Sequence, residues 1–170
     1  LKLLRVTHWV KNLLIFFPLF FAAEFHDIDK LMLTAVVFFG FSMVASCIYI
    51  INDLFDVEFD KKHPIKKERP IASGKISSKK SLFIAISLLF IGVFLISTVS
   101  FKAVIYTCVY FIINVFYSYK LKQISIIEFC IVASGFVIRI LIGGEISDIF
   151  LSQWIVVMVF LLSIFIAVSK

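Results

Sequence analysis

An all-α transmembrane helix bundle is the fold class this chain predicts, and three observations predict it. Of its 170 residues, 62% are hydrophobic, with 21 phenylalanines and a mean hydropathy of +1.09, whereas soluble domains hold roughly 45–50% apolar residues. Apolar stretches long enough to cross a bilayer core, about 20 residues for roughly 30 Å, recur along the chain. The basic residues gather between alternate stretches, the asymmetry that orients helices in a membrane.

Six spans follow, at about 12–25, 31–51, 82–100, 102–118, 126–144 and 150–168. Lys2, Arg5 and Lys11 precede the first, with Trp9 as an interfacial anchor. A short first span behind basic residues also outlines a signal peptide, but no small-x-small cleavage site follows, so it reads as a retained helix. Lys61, Lys62, Lys66, Lys67, Arg69, Lys75, Lys79 and Lys80 lie between spans two and three, and Lys120 and Lys122 follow span four. The opposite loops hold Lys30 and Lys102 beside Glu24, Asp27, Asp29, Glu145 and Asp148. Both termini and residues 52–80 are therefore expected on the cytoplasmic side. The net charge of +6 reads as topology and contact with anionic lipid, and gives no case for nucleic acid. Richness in Ile, Phe and Lys points to an AT-rich bacterial genome, and so to the bacterial inner (cell) membrane. Cys47, Cys108 and Cys130 show no metal or redox spacing and are expected as small buried hydrophobes. The chain begins with Leu and stops at the end of a span, which suggests a single transmembrane domain over 1–170, part of a longer polypeptide.

The most informative segment is Asn52-Asp53-Leu54-Phe55-Asp56-Val57-Glu58-Phe59-Asp60. At roughly 100° per residue, Asp53, Asp56 and Asp60 fall on one helix face, Asn52 beside them and Glu58 opposite. Like charges stacked on one face repel, so a cation or a substrate is expected to offset them. Several carboxylates with phosphate completing the shell suit Mg²⁺. The basic run Lys61–Lys80 follows directly. Acid cluster and basic run together predict a metal–diphosphate site, metal on the carboxylates and phosphate oxygens on Lys and Arg. A solvated helix end with a juxtamembrane basic loop would explain the lysines, but not three aspartates on one face.

Other polar residues stand out against the apolar background. Tyr117, Tyr119, Lys120 and Lys122 sit at a membrane boundary, where belt aromatics and snorkelling lysines are common. Glu128 and Arg139 share a stripe of span five about three turns, or 16 Å, apart, with Gly135 between them. An arginine inside a span faces a polar cavity or a partner. An internal ion pair and a phosphate contact both remain open for Arg139. Lys11 and Asn12 matter only if the fold brings them beside the aspartates.

These residues together resemble the UbiA superfamily of intramembrane prenyltransferases, whose NDxxDxxxD motif matches Asn52–Asp60. The resemblance is closest to the decaprenyl-phosphate phosphoribosyltransferase branch. It rests on Trp9-Val10-Lys11-Asn12, on His63-Pro64 with Arg69-Pro70-Ile71-Ala72-Ser73-Gly74, on Tyr117-Ser118 with Leu121-Lys122, and on Ser134-Gly135-Phe136, Arg139 and Gly143-Gly144. It implies a bundle of about nine helices, with roughly the last three missing here, and Mg²⁺-dependent transfer of 5-phosphoribose from phosphoribosyl pyrophosphate to a polyprenyl phosphate. Asn52, Asp53, Asp56 and Asp60 become the metal–diphosphate site, and Lys11, Asn12, Arg69, Tyr117, Lys120, Glu128 and Arg139 substrate contacts. Two departures stand out. The second aspartate-rich motif of many superfamily members is absent after span four, and Glu128 stands where the branch more often has Asp. The first departure favours a sugar-phosphate donor over the same-fold alternative, a prenyl diphosphate transferred to an aromatic acceptor. A transporter is disfavoured because the acids cluster at one face, with no broken half-helices evident.

Overall fold

The computed structural model describes residues 3–119 and 125–169, without the side chains of residues 125 and 126. Among these residues the α-helices are α1 (Phe17–Phe21), α2 (Ile28–Phe55), α3 (Val57–Lys62), α4 (Ser78–Ser97), α5 (Phe101–Tyr119), α6 (Ser125–Ser147) and α7 (Gln153–Val168). A 3-10 helix, Val6–Phe16, leads into α1, and a short one, Lys66–Glu68, follows α3. The described residues contain no strand. α2, α4, α5 and α6 are long and apolar enough to cross a membrane, and Val6–Phe21 and Gln153–Val168 are shorter apolar segments. All six expected spans are therefore helical, with ends shifted by a few residues.

Local chemistry sets several helix starts. Asp27 caps α2 by accepting the Lys30 N–H, Ser77 caps α4 by accepting the Lys80 N–H, and Ser152 caps α7 by accepting the Trp154 N–H. Each satisfies a donor the helix itself leaves unpaired. α2 is the central element, and it packs on α4, α5, α6 and the first 3-10 helix. Val37, Phe41 and Val44 of α2 meet Ile96, Ala103, Tyr110, Ile138 and Ile142 in the core. Outer faces carry exposed Phe83, Phe90, Phe94, Phe101, Ile112 and Phe116. Such a surface is stable only against lipid, and the protein is an integral membrane protein. Cys47 is buried as expected, whereas Cys108 and Cys130 are exposed, each on a helix that also shows apolar side chains to the lipid.

Two contacts between backbones set the packing. A Cβ at Gly40 would lie 2.8 Å from the Gly92 carbonyl oxygen, and one at Gly92 would lie 2.6 Å from that of Gly40. This is the small-residue crossing by which membrane helices approach closely. Gly143 is tighter still: its Cβ would meet the Ile15 carbonyl oxygen at 2.1 Å, so α6 lies directly on the 3-10 helix. Gly92→Val is expected to force α2 and α4 apart and to destabilise the protein by about 1–3 kcal/mol. Thermal unfolding in detergent checks this, with Leu88→Val, at a half-buried position on the same helix, as the reference.

The Val6–Phe16 helix is long for its kind, since 3-10 runs beyond 3–4 residues are uncommon. Its geometry explains what it does. Residues three apart eclipse one another, so Trp9, Asn12 and Ile15 form one row. Trp9 Nε1 donates to Ser46 Oγ at 3.0 Å, and Asn12 Nδ2 donates to Ser42 Oγ at 2.9 Å. Three residues of 3-10 helix and four of α-helix both rise about 6 Å, so the two ladders stay in step.

Candidate active site

Asp53 closes the last turn of α2, and Asp60 lies in α3. Asp56 stands at the junction with φ −93° and ψ 1°, in the bridge region rather than the helical one. The single continuous helix expected over Asn52–Asp60 is therefore broken at Asp56. Two backbone bonds carry the chain across it, Asp56 N–H to the Asn52 carbonyl (3.0 Å) and Asp60 N–H to the Asp56 carbonyl (2.8 Å). They preserve the shared side for the outer pair. Asp53 and Asp60 are 4% and 3% exposed, and one guanidinium bridges them. Arg69 Nη1 donates to Asp53 Oδ1 at 3.1 Å and to Asp60 Oδ2 at 2.6 Å. Arg5 Nη2 donates to the same Asp53 Oδ1 at 2.5 Å. Half-buried Asp56 accepts from Asn52 Nδ2 at 3.3 Å. Glu58 is exposed and pairs with Lys61 at 2.7 Å, whose ammonium holds its carboxyl below the ordinary carboxylate range. It takes no part in the cluster, as its spacing predicts.

The loop after α3 is built to deliver Arg69. His63 Nδ1 accepts the N–H groups of Ile65 and Lys66, each at 3.2 Å, and the short 3-10 turn then brings the chain back. Ile71 is buried with Leu3, Ile50 and Ala85, and pins both the loop and the N-terminal segment to α2 and α4. Arg5 is fixed at the other end of that segment. Its Cζ lies 5.1 Å from the Tyr49 ring centroid, and its φ of 47° is left-handed.

Tyr117 and Glu128 are joined by a hydrogen bond from the Tyr117 hydroxyl to Glu128 Oε1 at 2.9 Å. The neighbouring Tyr119 ring packs on Phe55 at 6.0 Å, which places this pair at the aspartate end of the bundle. Lys120 lies outside the described residues. Lys11 is exposed on the 3-10 helix.

Asn12 and Arg139 are not brought to the aspartates. Asn12 binds Ser42, eleven residues before Asp53 on α2 and so about 16 Å deeper. Arg139 donates through Nε to Asn12 Oδ1 (2.8 Å), through Nη1 to the Gly135 carbonyl (2.6 Å) and through Nη2 to the Tyr110 hydroxyl (3.1 Å). Its Cζ also lies 5.0–5.7 Å from the rings of Tyr110, Phe41 and Phe136. The room left by Gly135 is taken by this guanidinium and the Tyr110 ring. The ion pair open for Arg139 is not what forms: neutral acceptors and aromatic faces surround the charge. Arg5 is the residue sequence reading passed over. It reads as a topology charge, and no local spacing links it to an aspartate 48 positions away.

The donor set is hard oxygen from adjacent turns, which is the chemistry Mg²⁺ takes. Among the described residues no group of three or more His, Cys, Asp or Glu closes on one point. Arg69 stands between Asp53 and Asp60 instead. The residues fit a divalent cation in kind, and a guanidinium already stands in a cation's place.

The model of the UbiA prenyltransferase family matches residues 12–169. The chain belongs to the UbiA prenyltransferase family. Decaprenyl-phosphate phosphoribosyltransferase of Mycolicibacterium smegmatis is 36% identical over 100% of this chain and 55% of its own length. The protein of that name from Corynebacterium glutamicum is 34% identical over 100% of this chain and 52% of its own length. The chain thus spans about half the length of these curated relatives. A UbiA homologue from Archaeoglobus fulgidus, solved with GPP and Mg²⁺ bound, superposes with a TM-score of 0.78 at 20% identity, over 96% of this chain and 59% of that one. At that identity the likeness concerns the fold. The UbiA bundle expected from the motif is the one observed.

Proposed function

We propose that the protein transfers 5-phosphoribose from phosphoribosyl pyrophosphate to a polyprenyl phosphate, with Mg²⁺ held by Asp53, Asp56 and Asp60. One observation carries the reading. Buried carboxylates meet the guanidiniums of Arg5 and Arg69 at the end of the bundle that bears the basic loop, in a chain that matches decaprenyl-phosphate phosphoribosyltransferases along its whole length. The Mg²⁺ in the A. fulgidus homologue supports use of a metal.

In the proposed reaction the bond from ribose C1 to the leaving pyrophosphate oxygen breaks, and an oxygen of the lipid phosphate bonds to C1. That oxygen is already anionic at neutral pH, so no side chain has to remove a proton from it. Mg²⁺ supplies neutralisation of the leaving group's charge. Arg5 and Arg69 hold diphosphate oxygens by charge-assisted hydrogen bonds and fix the leaving direction. Tyr117 and Glu128 offer a donor and an acceptor to the ribose hydroxyls, with Asn52 orienting Asp56. Lys120 is the candidate for the donor's 5-phosphate. The apolar helices beneath the site accommodate the lipid tail and keep water from the donor.

Radiolabelled phosphoribosyl pyrophosphate, offered with polyprenyl phosphate to membranes holding the full-length protein, tests the reading. Label is expected in the lipid fraction, dependent on Mg²⁺. Label entering an aromatic acceptor from a prenyl diphosphate instead would move the assignment to the prenyl-transfer branch of the family.

The site is proposed to face the cytoplasm of a bacterial inner membrane, because the basic loop Lys61–Lys80 adjoins it. Ser77, exposed at the cap of α4, is a suitable probe. A Ser77→Cys variant is expected to react with a membrane-impermeant thiol reagent only after the inner face is opened. Labelling from the outer face of intact cells would overturn the topology.

A further inference from the structure

The two guanidiniums on the carboxylates have a consequence for the order in which ligands enter. Asp53 and Asp60 are almost fully buried, and one oxygen of each, Asp53 Oδ1 and Asp60 Oδ2, is taken by Arg5 and Arg69. Both arginines keep part of their side chains exposed, at 21% and 24%. Each therefore has an edge facing the side from which a ligand enters. A divalent cation arriving alone would have to sit beside two guanidiniums, or break their charge-assisted bonds to the carboxylates with no anion to replace them. A diphosphate changes the balance, because its oxygens accept from both arginines while the freed carboxylates turn to the metal.

We propose that Arg5 is a diphosphate-binding residue, and that Arg5 and Arg69 act as resident counter-cations which pass from the carboxylates to the diphosphate, so that metal and diphosphate each tighten the binding of the other. This rests on reading the aspartates as the metal–diphosphate site. It adds a residue that motif spacing does not supply. It also explains how the buried pair Asp53 and Asp60 persists at a membrane boundary: two guanidiniums match two carboxylates. Arg5 suits the exchange. It sits on an irregular turn before the 3-10 helix, with its guanidinium close to the face of Tyr49, a second favourable position for a cation. Its partner atom is the same Asp53 oxygen that Arg69 holds. Displacement at that oxygen therefore frees Arg5 and leaves Arg69 held by Asp60 alone.

Calorimetric titration of Mn²⁺ into the purified full-length protein in detergent, with and without inorganic pyrophosphate and with free Mn²⁺ corrected for its solution complex, tests the exchange. Pyrophosphate is expected to tighten Mn²⁺ binding about tenfold or more, and Mn²⁺ to tighten pyrophosphate binding by the same factor, as linkage requires. In Arg5→Gln and Arg69→Gln, Mn²⁺ alone is expected to bind more tightly than to the parent, while the gain from pyrophosphate shrinks. Equal Mn²⁺ affinity with and without pyrophosphate in the parent protein would overturn the exchange and leave the site reading standing. That comparison needs no variant to fold. Mn²⁺ binding that is identical in the parent and Asp53→Asn, in both conditions, would remove the site reading itself.

Discussion

Asp53→Asn and Asp60→Asn are each expected to lower transfer at least about 100-fold, the scale for losing one preorganised electrostatic contact at a reacting centre. Both variants should keep their place in the membrane. Asparagine has the same shape and retains an acceptor oxygen for Arg5 or Arg69, so packing around α2 and α3 survives. What is lost is a negative oxygen for the cation and the balance that holds two arginines beside it. Asp56→Asn is expected to fall in the same direction, with its bond from Asn52 weakened as well. Glu58→Gln removes only the exposed contact with Lys61, and exposed ion pairs are screened by solvent, so its activity should stay within about twofold of the parent. Initial rates in proteoliposomes, normalised to folded protein, check all four. A Glu58→Gln loss as large as that of Asp53→Asn would contradict the division of the acids into a buried pair, a junction residue and an outsider.

Arg139→Ala is expected to have the largest effect on stability, about 3–5 kcal/mol. The figure follows from buried acceptors. Asn12 Oδ1 and the Tyr110 hydroxyl both receive from Arg139, and each buried group left unpaired costs about 1–3 kcal/mol, with relaxation recovering part. The emptied volume between Phe41, Tyr110 and Phe136 adds to the loss. Arg139→Lys should rescue little, because an ammonium cannot serve three divergent acceptors as the planar fork does. Asn12 ties Arg139 to the 3-10 helix, so the damage should reach the helix that lies against Gly143. Thermal unfolding in detergent measures the loss. Donor affinity of the folded fraction is expected to be unchanged. Weakened donor binding with an unshifted unfolding temperature would instead make Arg139 a phosphate ligand, as the family resemblance implies.

The contrast between these two predictions shows what the chain makes legible. Hydropathy is local, and so the spans could be read directly, although the caps Asp27, Ser77 and Ser152 that set three helix starts were not. The shared side of Asp53 and Asp60 was legible for the same reason, because it depends on seven residues of helical geometry. The bend at Asp56 was not, since nothing in Phe55-Asp56-Val57 forbids a continuous helix. The partners of Arg5 and Arg139 were not legible for a different reason. A charge near a membrane boundary satisfies the positive-inside pattern wherever it points, so periodicity carries no information about its partner. Only tertiary structure brings Arg5 to Asp53 and wraps Arg139 in Asn12 and Tyr110. The 3-10 form of Val6–Phe16 is also a tertiary result, imposed where Gly143 lets α6 close on the Ile15 carbonyl and where the serine ladder of α2 must be matched.

The central claim is that the carboxylates between α2 and the basic loop hold the metal and the diphosphate of the donor. A structure of the full-length protein with phosphoribosyl pyrophosphate and Mn²⁺, using the anomalous scattering of manganese, tests it most directly. The account predicts an anomalous peak bonded to Asp53 and Asp60 oxygens, with Arg5 and Arg69 turned from those carboxylates onto the diphosphate. A diphosphate bound elsewhere, with the arginines still paired to the aspartates and no manganese on them, would contradict it.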